Sequence, residues 1–248
     1  MSDSVRPARP HQKLTEDGRR LAEVLSYSRR GSRFTPKQAE AWDAHHEAWV
    51  IPDEAVDVND FDLDAWFGRK APLAIEIGSG VGEATAALAA SRPDMNVLAL
   101  EVWVPGVADS LRRLDEAGVN NVRFCSIDAV WFFENILGPD AITELWTFFP
   151  DPWHKKKHNK RRLVNPAFAD LVSRRLVPGG EWRLATDWLE YAEQMQEVLD
   201  ASPSFAGGVV PRWDERPVTK FERKGLAKDR VITDLLYRTV AAPQGEQA

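Results

Sequence analysis

The chain has 248 residues, 44% of them hydrophobic and 28% charged, which is enough for one sizeable core and far from the composition of a fibrous or wholly disordered protein. No apolar stretch approaches the ~20 residues of a membrane span, residues 1–10 lack the apolar centre of a signal peptide, and the single Cys125 rules out an intrachain disulfide, so a cytoplasmic protein is expected. The net charge of −6 argues against a nucleic-acid partner only as an average, because the chain is arginine-rich over 1–33, acidic over 40–64 and cationic again over 155–162 and 212–230.

Residues 1–26 have few aromatics and little periodicity and are expected as a mobile basic arm, 27–240 as a single domain and 241–248 as a disordered tail. From Leu73 onward strand and helix patterns alternate, the signature of a doubly wound α/β fold with a mostly parallel sheet and helices on both faces. The first strand, 73–77, ends in Gly78-Ser79-Gly80-Val81-Gly82, and an alanine-rich helix over 83–91 follows. A strand over 97–102, a helix over 106–117, a strand over 122–127 ending at Asp128 and a helix over 129–137 come next. Strand 144–149 leads to a basic run, after which Asn165-Pro166 starts a helix with Phe168, Leu171, Val172 and Leu176 on one face. Pro178-Gly179-Gly180 is expected to stop that helix, before a strand over 181–186, a helix over 188–199, an irregular basic segment and a last strand over 231–240.

Ligands of such sheets sit beyond the carboxyl ends of the strands, where strand order reverses, and acids recur there in this chain. The glycines Gly78 and Gly80 allow close backbone approach, while the next helix offers free N–H groups to an anion. The dinucleotide fingerprint needs glycine where Glu83 stands, which disfavours NAD. Glu101, about 20 residues on, is placed to accept from a ribose. Asp151 lies between Pro150 and Pro152, so a stiff bend presents it beside Trp153 and six cations, Lys155, Lys156, Lys157, Lys160, Arg161 and Arg162. Asp187 reads either as a site acid or, with Glu190, as a helix capping box. His154 and His158 have ligand spacing, but the lysines between them oppose a cation and no metal is expected.

The strings Leu73-Ala-Ile-Glu-Ile-Gly-Ser-Gly-Val-Gly82, Leu100-Glu101-Val102, Phe148-Phe-Pro-Asp-Pro-Trp-His-Lys155, His158-Asn-Lys-Arg-Arg162, Ala185-Thr-Asp-Trp188 and Arg216-Pro-Val-Thr-Lys-Phe-Glu222 resemble the TrmB family of tRNA (guanine-N7-)-methyltransferases. Ser28-Arg-Arg-Gly-Ser-Arg-Phe-Thr-Pro36 resembles the family's N-terminal signature, so the likeness covers about 26–238. It implies a Rossmann-like class I fold that binds S-adenosylmethionine and methylates N7 of a guanosine in the variable loop of tRNA. By the same resemblance Glu76, Gly78, Gly80, Glu101, Asp128 and Asp151 contact the cofactor, and Asp151 is the catalytic acid. Lys155, Asp187, Thr219, Lys220, Phe221 and Glu222 contact the substrate, and Lys157, His158, Asn159, Lys160, Arg161 and Arg162 meet RNA. The chain departs from the family at Ser79, at Ala99 and over 225–234, where an expected histidine is missing.

Guanine N7 carries a lone pair and no proton, so its attack on a sulfonium methyl needs alignment more than a base. A fixed carboxylate at Asp151 favours the cation that forms and can accept from the guanine N1 or N2 edge. Trp153, next to cations, suits an unstacked base or a packing role. Two rival readings are a methyltransferase of exocyclic amines, against which the Pro-Asp-Pro order speaks, and a non-catalytic RNA-binding module on the same fold. Either a monomer or a homodimer fits the sequence.

Overall fold

The computed structural model describes residues 6–9, 25–28 and 31–240. Before the first predicted strand the chain forms α1 (Pro36–Trp49), the short β1 (Val50–Ile51), α2 (Asp53–Val56) and α3 (Leu63–Phe67). The expected alternation follows as β2 (Leu73–Ile77), α4 (Glu83–Ser91), β3 (Asn96–Leu100), α5 (Val104–Ala117), β4 (Val122–Cys125), α6 (Ala129–Asn135) and β5 (Ile142–Phe148). A 3₁₀ turn over Lys156–Arg161 precedes α7 (Pro166–Ser173), β6 (Leu176–Thr186), α8 (Leu189–Asp200), β7 (Phe205–Val210), α9 (Lys220–Leu226) and β8 (Thr233–Thr239).

The strands form one sheet in the order β1-β4-β3-β2-β5-β6-β8-β7, with β8 antiparallel to both its neighbours and the other pairs parallel. Strand order reverses between β2 and β5, which places a crevice at their carboxyl ends. Alternate residues of the central strands feed separate cores, as the pleat requires. Ile75, Leu98 and Leu100 pack toward α6, α7 and α8 with Phe132, Phe168 and Met195, whereas Ala74, Val97 and Ala99 pack toward α4 and α5 with Leu88, Val107 and Leu111. Phe132 is fully buried, and its truncation to alanine is worth about 3–5 kcal/mol.

Two expectations are corrected and two strands, β1 and β7, are added. Leu176 is not on the face of α7, which ends at Ser173; it opens β6, and the Pro178-Gly179-Gly180 segment lies within that strand. A Cβ on Gly180 would fall 3.1 Å from the Thr143 carbonyl, so glycine here admits a close pairing with β5 where the register shifts. The basic segment before β8 is not irregular throughout, because Thr219 caps α9 by accepting from the Glu222 N–H. Of the two added strands, β1 pairs with β4 at the sheet edge and β7 runs through Gly207-Gly208. A Cβ on Gly207 would meet the Leu236 carbonyl at 2.1 Å, and only glycine lets β7 pair so closely with β8.

The tail over 241–248 lies outside the described residues, as does most of the arm over 1–26. Within that arm, Arg9 is 2% exposed, pairs with Asp53 at 2.7 Å and Asp57 at 2.9 Å, and lies over Trp131, whose Nε1 donates to the Pro7 carbonyl.

Candidate active site

The loop after β2 turns on three glycines with positive φ, Gly78, Gly80 and Gly82. Gly106 of α5 packs against it so closely that a Cβ would stand 2.2 Å from the Gly80 carbonyl. Glu101, at the end of β3 and 8% exposed, accepts from the Gly80 N–H at 2.7 Å and from the Trp103 N–H at 2.8 Å. Those two bonds fix its carboxylate toward a cavity of about 120 Å³ whose lining includes Gly78, Gly80, Glu101, Ile127, Asp151 and Phe221.

Two of the predicted cofactor acids are not part of this lining. Asp128 caps α6, accepting from the Trp131 N–H at 2.9 Å, and its neighbours Ile127 and Ala129 line the cavity in its place. Glu76 is buried behind the glycine loop, where it accepts from the Thr85 hydroxyl and lines a small cavity of about 30 Å³ with Ser79 and Thr219. Burial raises its carboxyl to about 7, the Thr85 hydroxyl opposes that, and the charge of Glu101 adds to it. The Ser79 hydroxyl, also buried, has no hydrogen-bond partner among the described residues.

Asp151 does line the main cavity. The bend that carries it is bracketed by two residues in the left-handed region, Phe149 (φ 52°) and Trp153 (φ 46°). Such backbone costs on the order of 1–3 kcal/mol per residue and persists only where surrounding contacts enforce it. The Phe149 N–H donates to Ala185 of β6 at 2.7 Å, so the bend grows directly from the paired ends of β5 and β6. From the other side the Ser28 N–H donates to Asp151 Oδ2 at 2.9 Å.

Asp187, just past β6, is not the cap of α8: the N-cap is Trp188, without a side-chain bond. Its Oδ2 accepts from Arg230 at 2.6 Å, and Arg230 lies over the Trp188 ring. A Cβ on Gly225 would stand 2.8 Å from Asp187 Cβ, so α9 seals the back of this acid. Within the predicted substrate string, Thr219 caps α9, Phe221 reaches the main cavity, the Lys220 N–H donates to Glu83, and Glu222 turns inward. Glu222 binds Arg212 at 2.8 Å and the fully buried Arg216, which also holds Asp234 at 2.9 Å and sits under Phe148 and Phe149. Burial alone would raise the Glu222 carboxyl, but the two arginines hold it below its ordinary value. Arg216 escaped the sequence reading although it opens the Arg216-to-Glu222 string, and Ser28 was assigned no role although it opens the Ser28-to-Pro36 string; Arg230 and Tyr27 carried no signal.

The basic run divides. Lys155, Lys156, Lys157 and Lys160 are exposed, and His158 and Asn159 are half-buried. Desolvation and then the charges of Lys157 and Arg161 lower the His158 imidazole, which favours its neutral form. Asn159 donates to Glu190 at 3.3 Å. Arg162 is 2% exposed and donates to Pro152, Gln194 and Glu190, so it is removed from the set of cations available to RNA. Arg161 lies 3.6 Å from the Trp153 ring centroid and donates to the Leu25 and Tyr27 carbonyls.

A family model described as "Putative methyltransferase" matches residues 70–235. The tRNA (guanine-N(7)-)-methyltransferase of Nocardioides sp. is 65% identical over 95% of both chains, and that of Cutibacterium acnes is 46% identical over 88% of this chain and 83% of its own. The chain belongs to this methyltransferase family. Among solved structures, the 16S rRNA methyltransferase KamB superposes with a TM-score of 0.53 at 16% identity, covering 75% of this chain and 96% of its own. The aminoglycoside resistance methyltransferase NpmB1 gives 0.50 at 16%, covering 72% and 92%. The fold is that of the Rossmann-like class I S-adenosylmethionine-dependent methyltransferases, as the resemblance implied.

Proposed function

We propose that the protein transfers the methyl group of S-adenosylmethionine to N7 of a guanosine in the variable loop of tRNA, forming 7-methylguanosine. The observation that carries this reading is the convergence of the glycine loop, Glu101 and Asp151 on one cavity at the switch point of the sheet. The residues present suit the cofactor: bare glycine backbone, a carboxylate held by two N–H groups for a ribose, apolar walls from Leu100, Ile127 and Leu163, and in the loop a buried Ser79 hydroxyl without a partner among the described residues. When bound, S-adenosylmethionine supplies an electrophilic methyl on sulfur.

The chain's own work is alignment. Asp151 is held by the strained bend and by the Ser28 N–H, so it faces the incoming purine without reorganising, and its charge favours the methylated ring over the neutral one. No proton has to leave N7, so this acid needs no base function. Asp187, fixed by Arg230 just past β6, is a further acceptor for a guanine edge in this reading. Lys155, Lys156, Lys157 and Lys160 present charge to the tRNA backbone around that opening. The glycine loop and the Glu101 carboxylate held toward the same cavity argue against a non-catalytic RNA-binding module, which has no use for a cofactor site. Among the described residues no helix is long and apolar enough to cross a membrane, which is compatible with a cytoplasmic enzyme.

Incubation with labelled S-adenosylmethionine and unmodified tRNA, followed by nucleoside analysis, tests the reading. Label in 7-methylguanosine at the variable loop is the expected result; label on an exocyclic amine would replace it with the rival reaction.

A further inference from the structure

We propose that Arg161 and Trp153 form a clasp that holds residues 25–28 across the mouth of the cofactor cavity, and that Arg161 is a positioning residue for Asp151 rather than a phosphate contact. The proposal rests on the assignment of that cavity above.

Four consecutive residues of the N-terminal segment are tied down on one side. Leu25 accepts from Arg161 Nε at 2.8 Å, Ser26 from Trp153 Nε1 at 3.0 Å and Tyr27 from Arg161 Nη2 at 3.1 Å, and the Ser28 N–H donates to Asp151 Oδ2 at 2.9 Å. Ser26, Tyr27 and Ser28 then line the cavity together with Gly78, Gly80 and Glu101. On the far lip, Trp103 Nε1 donates to the Gly31 carbonyl at 2.9 Å. Residues 25–28 are therefore held to the loop after β5, and Gly31 to the start of α5.

The guanidinium suits this task as an ammonium does not. One face lies on the indole while its edge serves two carbonyls, and both partners are fixed in plane. The same interactions account for the positive φ of Trp153, since the indole must turn back over the bend to reach both Arg161 and Ser26. With the clasp closed, one oxygen of Asp151 is satisfied by backbone and the carboxylate has a fixed direction. With it open, the cavity is missing a wall and the acid is no longer oriented.

Arg161→Lys in the full chain separates the two roles, because lysine binds phosphate well but cannot stack and serve two carbonyls at once. Trp153→Phe keeps the ring and removes the bond to Ser26. The expected result for both is S-adenosylmethionine affinity weaker by about fivefold or more in calorimetric titration and a single-turnover rate at saturating tRNA lower by about tenfold, with tRNA affinity and its salt dependence unchanged. Amide exchange at Ser28 should accelerate in both variants. Wild-type cofactor affinity, rate and exchange in Arg161→Lys would overturn the clasp. A wild-type protein that failed to methylate tRNA would instead strike the proposed function, and the Ser28 exchange would still decide the clasp.

Discussion

Within the run from Lys155 to Arg162 the lysines face solvent and the arginines face protein. The same division holds across the site, where the fully buried Arg216 joins Glu222 and Asp234 beneath the bend that carries Asp151. A guanidinium carries five donors in a plane and loses less on leaving water, so it can satisfy several carbonyls or carboxylates of a folded interior. An ammonium has no such fit and stays hydrated. A count of cations along the chain thus overstates the charge offered to a polyanion, and here the residue type separates building material from grip.

The largest effect expected from this division is at Arg216. Replacing it with alanine leaves Glu222 and Asp234 buried with less compensation, and the loss of stability should be about 3–5 kcal/mol in urea titration. Because the arginines depress the Glu222 carboxyl, its contribution is present above the unfolded carboxylate range and is lost as pH falls through the lower folded value. Arg216→Ala should move that acid-side loss to higher pH. A change below about 1 kcal/mol would show that the inward arginines are dispensable.

Asp151 tests what those arginines serve. Asp151→Asn keeps the shape and the bond from Ser28 while removing the charge, and single-turnover methylation should fall by about 100-fold with tRNA affinity little changed. A rate near wild type would leave the strained bend and its supporting arginines without a catalytic purpose.

Glu76 is the counter-example, a buried carboxylate with a hydroxyl where Glu222 has guanidinium groups. Its folded value, near 7, lies above the unfolded one. The folded state therefore holds the proton more tightly, and stability should fall as pH rises from about 4.5 to 7 and level off beyond. Glu76→Gln removes that dependence, so its stability relative to wild type should rise by about 3 kcal/mol between pH 4 and pH 8. Parallel stability curves for the two proteins would show that Glu76 is ionised throughout.

The alternation from β2 to β6 and the placement of Glu101 and Asp151 on one cavity at the switch point were legible in the sequence because each depends on local pattern: apolar strands, glycine turns, acids at strand ends. What was not legible depends on distant partners. Leu176 and the two glycine pairs look like punctuation, and only the neighbouring strand explains why they continue one. Glu222 lies in the expected string, yet Arg212 and Arg216 hold its side chain, and Arg216 in turn is tied to Asp234 on β8. Arg161 is 134 residues from the Tyr27 carbonyl it binds, a separation no periodicity reveals.

The smallest effect belongs to the outward lysines. Lys157 and Lys160 are exposed, and replacing both with glutamine should alter neither folding nor S-adenosylmethionine binding. Each lysine that neutralises a phosphate accounts for about one unit in the slope of log K against log salt, so the pair should flatten the tRNA plot by about two units and weaken binding most at low salt. That signature differs from the one expected of Arg161→Lys, which spares the salt slope and weakens cofactor affinity. Binding isotherms for both variants across one salt series set the two kinds of cation side by side. An unchanged slope in the lysine pair would mean that this face of the run is only solvated, and the tRNA would then have to be held by cations elsewhere on the surface.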